Sequence, residues 1–273
     1  MGLRVNTNIA AINAQRNLAG ITTRLSGNFA RLSSGMRIAT AADDAAGLAI
    51  SERMRAQIRG LNVANRNAQD GVSLAQTAEG SLQEVSNNLN RMRELAVQAA
   101  NGTLSATDRA TLDTEFQALV TEIDRVASQS TFNGVTLLDG STTSLDIQVG
   151  VNAGETITVN LADTTAATLG VTALDVTSAA NASTALAAID TAIDSVTSTR
   201  GSLGADQNRL TSAMASILNT RENLSAAESR IRDVDVATET SDLTRNSILQ
   251  QAAVSVLAQA NVQPQLALSL LQL

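Results

Sequence analysis

The chain has 273 residues, a net charge of −7, 44% hydrophobic residues, one proline, three phenylalanines, and no Trp, Tyr, Cys or His. All 19 basic residues are arginine, so the groups on which most zinc sites, thiolate or Schiff-base catalysis, disulfides and P-loops depend are missing. With acidic charge and almost no aromatic side chains, neither general nucleic-acid affinity nor a cofactor is expected, and the chain reads as a non-enzyme.

Residues 1–42 carry Arg4, Arg16, Arg24, Arg31 and Arg37 and no acid. Leu18, Ile21, Leu25 and Leu32 keep a helical rhythm up to the Ser33-Ser34-Gly35 break. Asp43 or Asp44 then offers an N-cap for a much longer helix, predicted to run to about Ala100 and to stop at Asn101-Gly102. Met54, Ile58 and Leu61 open its apolar stripe, and Leu82, Val85, Leu89, Met92 and Ala96 resume it. A further helix over roughly 105–128 starts at Ser105-Ala106-Thr107-Asp108 and shows Leu112, Phe116, Leu119 and Ile123 on one face.

The period then changes. Leu145-Asp146-Ile147-Gln148-Val149 and Thr156-Ile157-Thr158-Val159-Asn160-Leu161 alternate about Asn152-Ala153-Gly154-Glu155, which predicts a hairpin. Residues 162–184, small and rich in Thr and Ala, fit a short lobe, a loop or a little strand equally well.

The last third is heptad-like. Ile189, Val196, Leu203, Leu210, Ile217, Leu224 and Ile231 form a seam that is apolar at every step. A second seam of Leu186, Ile193, Arg200, Gln207, Met214, Arg221 and Glu228 mixes apolar and polar residues and is expected to be half-buried. Further on, Asp233, Asp235, Glu239 and Asp242 stand against Arg245 alone, and residues 246–273 carry no charge.

An outgoing helix, a β-rich excursion and a returning helix define the fold class. It is mainly α: a long antiparallel helical rod, coiled-coil-like in its packing, with a small β-hairpin region and both termini at one end. Each terminal segment has an apolar stripe but is too short to fold alone. Ordering it costs about 1–2 kcal/mol per residue, so these segments are expected to be disordered or partly helical in the monomer and to pair in the assembled state. No run of about 18 apolar residues and no signal-peptide core after Met1 is present, so neither a membrane span nor a secretory signal is predicted.

Several words carry a resemblance. Asn6-Thr7-Asn8, Arg31-Leu32-Ser33-Ser34-Gly35-Met36-Arg37-Ile38, Asp43-Asp44-Ala45-Ala46-Gly47-Leu48-Ala49-Ile50 and Arg91-Met92-Arg93-Glu94-Leu95-Ala96-Val97-Gln98 closely resemble the N-terminal region of bacterial flagellins. Phe132-Asn133-Gly134, Ile147-Gln148-Val149-Gly150, Gln207-Asn208-Arg209, Ser229-Arg230-Ile231-Arg232-Asp233, Ile248-Leu249-Gln250-Gln251-Ala252 and Leu257-Ala258-Gln259-Ala260-Asn261 extend the likeness to the other end.

The resemblance implies a structural subunit that leaves the cell without a cleaved signal peptide and polymerises into the extracellular flagellar filament for swimming. Its partners would be copies of itself or related flagellins, an export chaperone, and cap and junction proteins. A hook–filament junction protein and a soluble coiled-coil adaptor are the competing readings. Residues 1–42 and 235–273 would be the inner, filament-core helices. Residues 43–140 and 185–234 would form the rod domain, and 141–184 the hairpin with a short variable segment, too small for an outer domain.

Burial of Ile9, Ile12, Leu25 and Leu32 with Ile248, Val256, Leu266 and Leu270 is expected to drive polymerisation. Arg91, Leu95 and Gln98, spaced four and three, share a helical face, with Glu115 on the next helix. In flagellins, matching positions serve protofilament packing and recognition by the vertebrate Toll-like flagellin receptor; packing is the preferred role here.

Overall fold

A computed structural model describes the backbone of residues 7–271 and the side chains of residues 7–262. Arg4, Asn6 and the side chains of Pro264, Leu266 and Leu270 lie outside the described residues. The elements are α1 (Ile9–Ser34), α2 (Ala45–Ala99), α3 (Ala106–Gln129), β1 (Thr131–Phe132), β2 (Val135–Thr136), β3 (Ser144–Gln148), β4 (Thr156–Asn160), α4 (Ala179–Arg232) and α5 (Val236–Leu271). The fold is mainly α, as the sequence leads one to expect. The chain forms two bodies, a central one of Gln57–Glu222 and a terminal one of Met1–Ala56 with Asn223–Leu273.

In the central body the heptads of α4 do what their spacing dictates. Ile189, Val196, Leu203 and Leu210 are buried among Leu82, Val85, Leu89 and Met92 of α2 and Phe116 and Ile123 of α3. The second seam is half-buried, and its two arginines reach across to α2. Arg200 Nε donates to Glu79 Oε1 at 2.9 Å, and Arg221 Nη1 donates to Asn62 Oδ1 at 3.1 Å. Arg93 Nε of α2 meets Asp190 Oδ1 of α4 at 2.7 Å. The partners advance along one helix as they retreat along the other, so the two run antiparallel within this body.

α3 starts at a capping box. Ser105 Oγ accepts from the Asp108 N–H, and Asp108 Oδ2 accepts from the Ser105 N–H, each at 3.2 Å. The hairpin pairs Leu145 with Val159 and Ile147 with Ile157. It is held to the helices by Asn67 Nδ2 on Gln148 O at 3.1 Å and by buried Asp206, which accepts from Asn160 N at 3.3 Å. A second hairpin, β1 with β2, turns on Asn133 and Gly134 at φ +49° and +79°.

The segment after β4 contains no strand. Its Ala166, Leu169, Val171 and Val176 are buried, while its backbone is tied to one face of α3. Asp124 Oδ1 accepts from Ala166 N at 2.7 Å, Asp113 Oδ1 from Val176 N at 2.9 Å, and Gln117 Nε2 donates to Leu174 O at 2.8 Å. Ser178 then caps α4, accepting from Asn181 N at 3.0 Å, so this helix starts ahead of the first heptad position at Leu186. Asp124→Ala should loosen the segment by about 1 kcal/mol, the usual net value of one such hydrogen bond. Hydrogen exchange at the Ala166 amide would then quicken roughly fivefold while the Leu89 amide is unchanged.

Candidate self-association surface

α1 and α5 pair with each other within the terminal body, although disorder or partial helix is what their lengths alone suggest. Each has a seam. On α1, Ala11, Ala14, Leu18, Ile21, Leu25, Asn28 and Leu32 are buried or half-buried, spaced three and four apart. On α5, Glu239, Leu243, Asn246, Gln250, Ala253, Leu257 and Ala260 repeat the same spacing. Small Ala14 and Ala260, both buried, let the helices approach closely.

Polar contacts show the direction of pairing. Asn8 caps α1 by accepting from Ala11 N at 3.1 Å, and its amide donates to Ala260 O at 2.8 Å. Asn246 Nδ2 donates to the buried Asn28 Oδ1 at 3.1 Å, and Arg31 Nη1 stands 3.9 Å from Glu239 Oε1. The start of α1 therefore lies by the far part of α5, and the helices are antiparallel. The charge contrast between the chain ends is used where Arg31 lies between Glu239 and Asp43, the latter at 4.0 Å. Asp43 is held below the usual carboxylate range, first by the Thr40 N–H and then by the Thr40 hydroxyl. Asp235 caps α5 and is lowered in the same way, first by the Thr238 hydroxyl.

The remaining faces are apolar and open. Ile9 is 57% exposed, Phe29 56%, Ile248 61% and Val256 58%, with Ile12, Val236, Leu249, Val254 and Val262 also exposed. On α5 these residues lie on both flanks of the seam and opposite it, so the helix lacks the polar side of a water-facing amphipathic helix. Contiguous apolar exposure is uncommon on monomeric proteins.

The structure thus separates the residues singled out for assembly. Ile9, Ile12, Ile248 and Val256 face outward. Leu25 and Leu32 are half-buried in the seam between α1 and α5. Phe29, Leu249 and Val254 belong to the open faces but fall outside any single stripe, which is why spacing alone passes over them.

A second group sits on the central body. Arg91 Nη2 meets Glu115 Oε1 at 2.8 Å, its Nη1 meets Glu94 Oε2 at 2.9 Å, and Gln98 is exposed nearby on the same helix. Hydrogen bonds that Arg91 donates to Glu94 and then to Glu115 raise its pKa above the ordinary value. Leu95 is 1% exposed and belongs to the core. Between α3 and α4, α2 buries a wide arc, and the edge of the face begun by Arg91 falls inside it. Among the described residues no helix is long and apolar enough to cross a membrane.

Comparison with known proteins gives a consistent result. The model of the bacterial flagellin N-terminal helical region matches residues 5–143, and that of the C-terminal helical region matches residues 186–271. A flagellin of Halalkalibacterium halodurans is 50% identical over 270 residues, covering 98% of this chain and 99% of that protein. A flagellar filament 33 kDa core protein of Treponema phagedenis is 44% identical over 284 residues, covering 98% and 99%. The crystal structure of Bacillus cereus flagellin matches with a TM-score of 0.52 at 38% identity, covering 60% of this chain and 94% of that one.

Proposed function

For a chain that belongs to the bacterial flagellin family, we propose that filament growth is driven by burial of the open apolar faces of α1 and α5 between neighbouring subunits. The protein is a structural subunit of the flagellar filament and not an enzyme. Ile9, Ile12, Ile248 and Val256 make the intersubunit contacts in this reading, with Leu266 and Leu270 continuing them along the tail. Leu25 and Leu32 act one step earlier, by holding the pair together. The observation that carries the reading is the exposure of Ile248, Leu249, Val254, Val256 and Val262 on the part of α5 from residue 246 onward, which has no charged side chain.

Such an interface is heterologous: the patch on one subunit meets a different patch on the next, so the contact extends helically instead of closing. Many neighbours are needed, because the apolar effect of about 25 cal/mol per Å2 must exceed the ordering cost of two long helices. Before assembly the same faces would be covered by an export chaperone, with cap and junction proteins meeting them at the filament ends. The absence of cysteine suits passage through a narrow export channel, without a cleaved signal peptide, to an oxidising exterior. On the central body, Arg91, Gln98 and Glu115 form the polar patch for protofilament packing and for recognition by a Toll-like flagellin receptor. Leu95 supports that patch from beneath.

Since the parent chain has no cysteine, Ile248→Cys places one thiol on the open face of α5. Its alkylation is expected to be fast in the unassembled subunit and at least roughly tenfold slower in filaments, as burial blocks access to the thiolate. Equal rates in both states would put Ile248 outside any interface.

A further inference from the structure

Three of the sequence words that the assembly surface leaves unused, around Gly35–Ile38, Asp43–Gly47 and Ser229–Asp233, meet at one place in the terminal body. The connector leaving α1 and the one entering α5 pair as a short antiparallel bridge between Met36 and Asp233. Arg37 N donates to Arg232 O at 2.6 Å, Ile38 N reaches the same carbonyl at 3.4 Å, and Val234 N donates to Gly35 O at 3.0 Å. The Arg37 guanidinium adds a bond from Nη2 to Ile231 O at 2.6 Å, satisfying a carbonyl at the end of α4.

At the centre of this clamp lies Arg232, only 9% exposed. Its Nη1 donates to Glu52 Oε1 at 2.7 Å, and its Nε lies 3.2 Å from Met36 Sδ. Beside it, Ile38 is 1% exposed and packs so closely on α2 that a Cβ at Gly47 would stand 2.7 Å from Ile38 Cδ1 and 2.4 Å from Asp44 Oδ2. A side chain there would have to push both of these side-chain ends aside. A buried guanidinium is tolerated when it is paired, and here the pairing joins three segments: α4 supplies the arginine, the α1–α2 connector the sulfur, and the first turns of α2 the carboxylate.

The alignment set at the clamp continues into the helix pair. Gly35 lies by Val234, Arg31 by Glu239, Asn28 by Asn246 and Asn8 by Ala260. The seam has one register device of its own, the Asn28–Asn246 pair with Asn28 buried, but Ala11, Ala14, Ala253 and Ala260, spaced three or seven apart towards its other end, are small enough to accept a slipped partner. We propose that Arg232 is a positioning residue for filament growth: by locking the connectors to the root of α2, it holds α1 and α5 in one register and so presents their open apolar faces as one defined surface. This rests on the assembly reading above. It adds that the surface is made correct from its root, by a residue that lies outside α1 and α5 and is not among their open apolar side chains.

Seeded elongation of the full chain on sheared parental filaments tests it, read together with hydrogen exchange at the Arg37, Ile38 and Val234 amides. Arg232→Met is expected to raise the critical concentration at least roughly tenfold and to speed exchange at those amides by a similar factor, since it leaves Glu52 without its buried partner. Exchange across residues 82–99 should stay parental. Reversing the pair with Arg232→Glu and Glu52→Arg should bring the critical concentration back to within about threefold of the parent, whereas Arg232→Glu alone should not.

Elongation of Arg232→Met at the parental critical concentration overturns the proposal, as does a reversed pair no better than Arg232→Glu alone. If Arg232→Met also loosens residues 82–99, Glu52→Gln decides in its place. A severalfold rise supports the proposal and a parental value overturns it. A parent that fails to elongate would overturn the assembly reading instead, and exchange at the three amides would still decide whether Arg232 sets the register.

Discussion

Ile248→Asp combined with Val256→Asp is expected to give a folded subunit that forms no filaments at concentrations where the parent polymerises fully. Both side chains are more than half exposed, so a carboxylate costs the isolated subunit little. In a filament the same positions would be desolvated. Each substitution forfeits about 1–2 kcal/mol of apolar burial and adds several kcal/mol for burying an unpaired charge. Together these correspond to a rise in critical concentration of roughly a thousandfold or more. Sedimentation after seeding measures it, with circular dichroism confirming parental helix content. Polymerisation within about tenfold of the parental threshold would place the driving contacts on other faces.

Phe116→Ala should have the largest effect on the fold. Phe116 is fully buried in the central body, packed with α2 and α4 residues, and is one of only three aromatic side chains in the chain. Removing a buried phenylalanine costs about 3–5 kcal/mol, from lost transfer energy and the cavity left behind. That is a large fraction of the stability of a domain this size. Urea unfolding followed by circular dichroism should show a midpoint lowered by more than about 1 M, given typical urea slopes. A loss below about 1 kcal/mol would mean that the core closes around the gap.

What could be seen in the sequence follows from where the physics is periodic. The seam from Ile189 to Leu210 was legible because one helix face meets one continuous core, and the half-buried seam through Arg200 and Arg221 because long cationic side chains at heptad positions keep their heads near the surface. The hairpin of β3 and β4 showed its alternation. The smaller hairpin of β1 and β2 did not, since two-residue strands carry no period, yet Asn133-Gly134 is a strong signal for a turn with two positive φ angles and could have revealed it. Residues 162–178 were illegible for another reason. Their place depends on Asp113, Gln117 and Asp124 of α3, distant in sequence, and on scattered buried residues such as Leu169 and Val176.

The candidate site was legible in composition and only partly in detail. An acid-free start with five arginines, a charge-free tail and an apolar stripe on each signalled association, but spacing could not tell a stripe that meets its own chain from one that stays open. Leu25 and Leu32 are half-buried between α1 and α5, whereas Ile9, Ile12, Ile248 and Val256 stay exposed. Spacing of four and three defines a line on a helix and not the width of the arc its neighbours cover, so it does not reveal that Leu95 is buried while Arg91 and Gln98 are exposed. The clamp at Arg232 was present as words, but its meaning lies in a pairing across almost the whole length of the chain.

Electron microscopy of the purified full chain beside a version lacking residues 1–42 and 246–273, both seeded identically, tests most directly whether the terminal helices drive polymerisation. Filaments from the full chain and a soluble, helical, unassembled protein from the shortened one are the predicted pair of results. Filaments from the shortened chain, or a full chain that remains monomeric with α1 and α5 protected from exchange, would contradict the account.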